Sequence, residues 1–284
     1  MEQPLTRLLV TADDVGLHRG ITLGALEAAS RGIVCSLSVL TARDDWDATR
    51  SALLGHPDLD LGVHLTLCEG RPVSSPDEVR SLVGSDGRFP LRGRTVVQAV
   101  LRGSVDKDEV RTEWLAQVRR VQDAGLRVTH LDGHKHLHLL PGLSTVFEEV
   151  RRSCEIPGAR LVREAGRGPR TGVRALLSAL SWRMASRLRD GGSRVVDRTV
   201  GVGVSGALTE EALLSIIERL EPGTTELICH PAKRVDGFPA DLVSEGLDWA
   251  ADYRFSDELA ALCSPAVAAR IEERGIVLVG YGGL

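Results

Sequence analysis

The sequence predicts an α/β fold, a distorted or incomplete TIM-like (β/α) barrel formed as a single domain over residues 1–284. Short apolar runs of strand length alternate with helical patterns about seven or eight times, which is typical of a parallel sheet with crossover helices. No internal repeat or linker divides the chain. A glycine-rich nucleotide motif after the first strand and a Walker lysine are both missing. The number of units and the chain length therefore favour a barrel over an open doubly wound sheet.

Each predicted strand is a short, mostly apolar run bounded by turn residues, as expected for a buried strand of a parallel sheet. The predicted strands cover residues 7–12, 33–40, 59–67, 127–132, 159–164, 194–204, 225–229 and 276–279.

The predicted helices follow these strands, with apolar residues three and four positions apart. Gly32 suits the position after the first helix, Asp44 is a candidate N-cap of the second, and Pro141 suits a first turn. The predicted helices cover residues 21–30, 44–54, 95–101, 106–124, 141–152, 173–188, 209–220, 256–262 and 265–274. Residues 68–92 show no clean period and predict a long loop, which in a compact domain is often functional. Residues 165–172 form a second loop, rich in Gly, Pro and Arg.

Composition excludes several classes of function. The 43% hydrophobic and 26% charged content is ordinary for a globular protein, and a net charge of −4 gives no reason to expect nucleic-acid binding. No apolar run reaches the length of a membrane span, and the first four residues lack the regions of a signal peptide. Five widely spaced cysteines without a CxxC pair indicate reduced, mostly buried thiols. We therefore expect a cytoplasmic protein.

Acidic and histidine side chains fall at the ends of four predicted strands. Asp13 and Asp14 follow the first strand, and His64 lies near the end of the third. The fourth strand runs into residues 129–141, which hold four of the eight histidines, and His230 follows a late strand. Because active sites of such folds gather at the carboxyl ends of the strands, we expect these side chains to share one site.

Each of these residues also has a purely structural interpretation. Successive side chains of a strand alternate faces, so Asp13 and Asp14 can share a site only if the strand has ended before them. One of the two would otherwise be a helix N-cap. His64 taken alone is more often a hydrogen-bonded core histidine, and His230, followed by proline, suits a capped turn as well as an acid.

Only some of the histidines in this cluster are expected to point into the site. His134, His136 and His138 share a face if the fourth strand continues, but Gly133 and Pro141 indicate that it stops. One or two of the three are therefore expected to point into the site, and His138, next to the predicted helix, has the strongest structural alternative. One carboxylate and two imidazoles with an open position form a recognised catalytic metal site. That donor set suits Zn²⁺, whereas Mg²⁺ prefers oxygen ligands, and the sequence leaves the metal open.

Four motifs together resemble the YdjC-like carbohydrate deacetylases, a family that includes chitooligosaccharide deacetylases and hopanoid-associated sugar deacetylases. They are Thr-Ala-Asp-Asp-Val-Gly at 11–16, Gly-Val-His-Leu-Thr at 62–66, His-Leu-Asp-Gly-His-Lys-His-Leu-His at 130–138 and Cys-His-Pro at 229–231. The resemblance follows the family's order and continues through residues 253–262. Each motif alone is weak, but the set is highly specific.

The resemblance implies a distorted TIM-like barrel that removes N-acetyl groups from amino sugars with one divalent metal ion, Zn or Mg. It also implies roles for single residues. The metal ligands would be Asp14, His64 and His134, the general base Asp13, the catalytic histidine His230 and an arginine near the substrate Arg163. Asp132, His136 and His138 are then candidates for contacting the substrate or supporting the ligands.

Departures from the family pattern leave the substrate open. Thr11 and Val15 replace the commoner Asn and Phe, and Ala232 replaces a common Gly, which changes the pocket wall more than the chemistry. The expected partner is a small N-acetylated sugar, with no nucleic acid and no membrane span, and a homodimer is left open. Two other functions also remain open: a metallohydrolase of phosphodiesters or non-sugar amides, and a non-catalytic sugar- or metal-binding barrel.

Overall fold

One parallel sheet of eight strands organises the part of the chain that the structure, a computed structural model, describes: residues 5–43, 45–164 and 172–284, without the side chains at 173 and 174. The strands are β1 (Thr6–Val15), β2 (Ser36–Val39), β3 (Asp60–Leu65), β4 (Val128–Gly133), β5 (Gly158–Ala159), β6 (Arg198–Val200), β7 (Gly223–Cys229) and β8 (Val277–Leu278). Leu8, Leu9 and Val10 are all fully buried, so both faces of β1 are covered, as in other parallel sheets with crossover helices.

The strand order β5-β4-β3-β2-β1-β7-β6 confirms the predicted barrel topology. Between β5 and β6 regular pairing is replaced by two isolated bridges, Gly158 to Arg194 and Glu164 to Thr199. The distortion of the barrel lies here. The strands predicted at 159–164 and 194–204 shrink to the short β5 and β6, and the second is followed by a 3₁₀ turn at Val202–Val204.

The last strand takes an unusual place beside β1. Arg7 and Leu8 pair with β8, whereas the same edge of β1 pairs with β2 from Thr11 onward. β8 therefore fills the amino-terminal half of this edge, and the chain then reaches Tyr281, which is fully buried. The C-terminal segment enters the barrel from the end opposite the carboxyl ends of the strands.

Ten α-helices surround the described sheet, close to the predicted positions. They are α1 (Arg19–Arg31), α2 (Trp46–Leu54), α3 (Gly93–Leu101), α4 (Lys107–Gln122), α5 (Leu143–Ser153), α6 (Gly172–Asp190), α7 (Glu210–Glu218), α8 (Ala240–Ser244), α9 (Phe255–Leu262) and α10 (Pro265–Glu273). The short α8 was not predicted. None of the described helices combines the length and apolar character that a membrane crossing requires.

Local chemistry accounts for several helix ends. The side chains of Asp106 and Thr209 accept backbone N–H groups at the starts of α4 and α7. α5 begins two residues later than predicted, because Gly142, with φ of 88°, is its N-cap. The predicted cap Asp44 and most of the predicted 165–172 loop lie outside the described residues. The long 68–92 loop contains a 3₁₀ turn, Pro76–Glu78, as its helical part.

Candidate active site and metal centre

A bulge in β1 brings the two consecutive acids to one site. Asp13 and Asp14 are both buried and lie inside β1, so the expectation that the strand ends before them was wrong. The register with β2 shifts between Ala12 and Val15, and Asp14 has a left-handed φ of 63°. A bulge of this kind re-aims a side chain without ending the strand. Both carboxylates can therefore face the carboxyl end of the barrel.

Asp14, His64 and His134 form a compact group of metal-ligand atoms. Asp14 Oδ1 lies 2.8 Å from His134 Nδ1 and 3.4 Å from His64 Nε2, and the three ligand atoms lie within 4.8 Å of one another. Asp14 Oδ1 is buried, yet no described residue gives it a well-directed hydrogen bond. One orphaned carboxylate oxygen between two imidazole nitrogens fits a divalent metal ion.

The opposite nitrogen of each histidine is held by a carboxylate. His64 Nδ1 lies 2.7 Å from Asp132 Oδ1, and His134 Nε2 lies 2.9 Å from Glu69 Oε2. Metal-binding histidines are generally oriented by such a carboxylate, so this geometry is a second observation that fits a metal. Burial opposes ionisation of Asp14, but the imidazoles of His134 and His64 hold the pKa of its carboxyl well below its ordinary value. Asp14 is therefore negatively charged, as a carboxylate ligand of a metal ion must be.

A buried arginine holds the other acid of the pair. Arg160 bonds Asp13 through two parallel N–H groups at 2.7 and 2.8 Å, donates a further hydrogen bond to Glu226 and forms an ion pair with Asp132. All four side chains are buried. Asp13 Oδ2 lies 4.0 Å from His64 Nε2, so the oriented carboxylate borders the metal-ligand group.

The sequence interpretation overlooked Arg160 and Glu226, although each carries a recognisable signal. Both are charged residues inside predicted apolar strands, and such residues are almost never fully buried unless they are paired. Arg163, which was expected near the substrate, lines a separate cavity of about 580 Å³ together with Trp182 of α6.

A cavity of about 230 Å³ opens above the acids and the ligand group. It is lined by Asp13, Asp14, His64, His134, Lys135, His136, Val202, Ser205, Ile228, His230, Trp249 and Tyr253. His230, after β7, is therefore brought together with the residues of β1, β3 and β4. Trp249 and Tyr253 supply aromatic walls, with ring centroids 4.8 Å apart. Trp249 lies in a 3₁₀ turn and Ser205 in a loop, where no periodic signal marks them.

Several contacts fix His230. Its Nδ1 lies 3.2 Å from Ser205 Oγ, which lies 3.0 Å from Tyr253 OH. Its backbone N–H donates to Glu258 Oε2 at 2.6 Å. Glu258 is fully buried on α9, and burial raises the pKa of its carboxyl. Both the ring and the backbone of His230 are thus positioned from neighbouring elements.

The histidine cluster divides between the site and the core. β4 ends at Gly133, and a 3₁₀ turn follows in which Lys135 and His136 adopt left-handed φ values of 52° and 56°. His136 lines the cavity, and its buried Nδ1 has no hydrogen-bond partner among the residues that the structure describes. His138 points away: its Nε2 lies 3.3 Å from the Arg160 carbonyl oxygen, and burial lowers its pKa to about 4.

Comparisons with known proteins show which family the chain belongs to. A family model described as YdjC-like protein matches residues 7–273. A carbohydrate deacetylase of Geobacillus stearothermophilus is 29% identical over 276 residues, which is 96% of each chain. A carbohydrate deacetylase of Homo sapiens is 32% identical, covering 100% of this chain and 93% of its own. A crystal structure from Enterococcus faecalis V583, of a protein whose proposed role is cellobiose-phosphate cleavage, is 28% identical with a TM-score of 0.77 and covers 98% of both chains. The chain therefore belongs to the YdjC-like protein family.

Proposed function

We propose that this protein is a metal-dependent carbohydrate deacetylase, which hydrolyses the N-acetyl group of an amino sugar, oligosaccharide or glycoconjugate. The observation that carries the proposal is one pocket that combines a three-residue metal-ligand group, an oriented carboxylate and a histidine. The relatives named carbohydrate deacetylase, matched over nearly the whole chain, support the class of reaction.

Asp14, His64 and His134 would hold the metal ion. A divalent ion there supplies Lewis acidity at the acetyl carbonyl. Two imidazoles and one carboxylate suit Zn²⁺ better than Mg²⁺, and measurement of bound metal decides between them. Asp132 and Glu69 keep the two imidazoles turned towards Asp14.

Asp13 acts as the general base in this proposal. Its carboxylate lines the pocket and is fixed by Arg160 through two parallel hydrogen bonds. Asp13 takes a proton from the water that attacks the acetyl carbon. Because Arg160 fixes the plane of the Asp13 carboxylate, the carboxylate oxygen is already oriented towards the attacking water before the reaction begins.

His230 protonates the leaving amine. An amine leaves poorly as an anion, so the C–N bond breaks only when a proton reaches the nitrogen. Ser205 occupies Nδ1 of His230, which leaves Nε2 as the proton donor. The proton that Asp13 accepts from water and the proton that His230 delivers to the amine balance the hydrolysis.

The aromatic walls support a sugar as the substrate. Trp249 and Tyr253 give the pocket flat apolar surfaces beside polar groups, as ligand sites usually have. The cavity is small, at about 230 Å³, so we propose that it takes the sugar ring that carries the acetamide. The remainder of a longer glycan or conjugate would lie outside it.

The rival phosphodiesterase generally needs a second metal ion. The further candidate groups found among the described residues, Cys68–Glu69–His134 and Asp13–His64–Asp132, each share a histidine with the proposed ligand set. They do not provide an independent second site.

Acetate release tests the proposal. The purified chain is offered N-acetylated monosaccharides, oligosaccharides and conjugates, with and without a chelator, and phosphodiesters are assayed in parallel. We expect acetate release that the chelator abolishes and that one equivalent of divalent metal restores. Hydrolysis of phosphodiesters alone, or metal binding without any hydrolysis, would establish one of the rival functions instead.

A further inference from the structure

We propose that Tyr281, near the C-terminal end of the sequence, is a positioning residue for the catalytic base, acting on Asp13 through Glu226 and Arg160. The inference rests on the proposed function, because it takes Asp13 as the base. It concerns the floor of the barrel, which we define by Tyr281, His130 and Glu226.

Tyr281 is held on the floor by two contacts. Its ring stacks on His130 of β4, with centroids 4.0 Å apart and planes inclined by 13°. Its hydroxyl donates to Glu226 Oε2 at 2.9 Å. Burial, followed by the neighbouring Glu226 carboxylate, raises the pKa of Tyr281 well above its ordinary value. The hydroxyl therefore keeps its proton and remains a donor.

Glu226 connects Tyr281 to Arg160, because its two carboxylate oxygens contact both residues. It is fully buried in β7, and its Oε1 accepts from Thr11 Oγ1 at 2.8 Å and from Arg160 Nε at 3.0 Å. Tyr281 occupies the other oxygen. With donors on both oxygens, the carboxylate is locked in one orientation beside the guanidinium.

The position of the Arg160 guanidinium is restricted by contacts with three carboxylates. Nε and Nη2 of Arg160 face Glu226, Nη1 and Nη2 face Asp13, and Nη1 also faces Asp132. Three of these contacts are hydrogen bonds, from Nε to Glu226 and from Nη1 and Nη2 to Asp13, and the other two are ion-pair contacts, from Nη1 to Asp132 and from Nη2 to Glu226. A change in the position of Glu226 must be taken up by the bonds to Asp13 or Asp132.

Three buried carboxylates surround one guanidinium, so this cluster has fewer hydrogen-bond donors than its carboxylate oxygens can accept. The Tyr281 hydroxyl is a neutral donor that reduces this shortage at Glu226. Without it, Glu226 draws Arg160 more strongly, and the two bonds that orient Asp13 weaken. Substrate binding should not change, because neither Glu226 nor His130, the groups that Tyr281 contacts, lines the pocket.

The test is Tyr281→Phe, which keeps the stacked ring and removes only the hydroxyl. We expect kcat to fall about tenfold, since a hydrogen bond to a charged group is lost two bonds away from Asp13. KM and bound metal should stay at the wild-type values. The matched control is Ser36→Ala, which removes a buried hydroxyl that donates to Asp60 Oδ1 at 3.0 Å on the same floor, and it should leave kcat unchanged.

A second background separates positioning from general loosening of the barrel. In Asp13→Asn the route has no base to orient, so adding Tyr281→Phe should cause no further loss of activity. An equal loss in both backgrounds, or a Tyr281→Phe enzyme with wild-type kcat, would overturn the proposal. If Tyr281→Phe does not fold, Thr11→Val removes the donor at the other oxygen of Glu226, and the same loss of kcat is expected. Absence of acetate release from the wild-type chain would instead reject the proposed function itself.

Discussion

Replacing Arg160 with lysine is expected to slow turnover without emptying the metal site. Lysine keeps the positive charge but offers three N–H groups on one nitrogen in place of the planar fork of five. It cannot bond Asp13 through two parallel N–H groups, so the proposed base loses its fixed orientation. The proposed metal ligands are not bonded to Arg160, and Asp132 keeps its contact with His64 at 2.7 Å.

The magnitude follows from burial. Arg160 is fully buried among Asp13, Asp132 and Glu226. Breaking a buried ion pair destabilises a protein by about 3–5 kcal/mol, and because lysine retains the charge we expect about 2–3 kcal/mol. For a chain of this size that corresponds to a fall in Tm of about 5–10 °C. We expect kcat to fall by about 10²-fold, at the low end of the contribution of a general base, because Asp13 is misplaced and not removed.

Arg151 provides the matched control. It is a buried arginine of α5 that bonds Glu148 through two N–H groups at 2.8 and 2.7 Å and also donates to the Ile156 carbonyl oxygen at 2.6 Å. Arg151→Lys should lower Tm to a similar degree and leave kcat unchanged.

Acetate release, elemental analysis and thermal unfolding are measured on both variants. Wild-type turnover in Arg160→Lys would show that the reaction does not depend on the orientation of Asp13 by arginine. Equal losses of kcat in the two variants would attribute the effect to destabilisation alone.

Three further predictions concern single residues. His64→Ala should lose the bound metal, and unchanged metal stoichiometry by elemental analysis would remove His64 from the ligand set. Asp13→Asn and His230→Ala should each lower kcat by about 10²–10⁴-fold while the metal content stays constant, as expected for a general base and a general acid; full activity in either contradicts its role. Asp60 is partly buried at the start of β3, where the effect of burial is outweighed by His130, the Gly282 N–H and the Thr129 hydroxyl, which lower its pKa from 3.8 to about 2. A lowered carboxyl pKa stabilises the fold above pH 4 and loses that effect as pH falls towards 2. Asp60→Asn should therefore lose about 2 kcal/mol of unfolding free energy at neutral pH, and its difference from wild type in urea unfolding should shrink with acidification.

The alternation of apolar runs and helical patterns was sufficient to predict the barrel, and it pointed to the side of the sheet where the candidate site lies. It could not predict the bulge at Asp14. A bulge depends on how β1 pairs with β2, and a left-handed aspartate leaves no mark in the hydrophobic pattern. The same holds for Lys135 and His136, whose left-handed φ values turn His136 towards the pocket and the following residues away from it.

The contacts between the buried charged residues inside the barrel also could not be predicted from a local sequence pattern. Arg160 and Glu226 meet across 66 positions of sequence, and Tyr281 reaches Glu226 from 55 positions away. A charge inside an apolar strand signals that a partner exists, but it does not name the partner. Only the topology, which places β5, β7 and the C-terminal segment around one interior, joins these residues.

The bulge and the arginine together explain how two neighbouring aspartates can have different tasks. Asp13 and Asp14 have the same chemistry, lie side by side and line the same pocket. Asp13 is bonded on both oxygens by Arg160, whereas the Oδ1 of Asp14 receives no well-directed hydrogen bond from any described residue and lies between two imidazoles. A carboxylate already neutralised by a guanidinium is a poor ligand for a cation, and a carboxylate without donors is a good one. In the proposed mechanism the partners, and not the acids themselves, therefore distinguish Asp14 as the metal ligand from Asp13 as the general base.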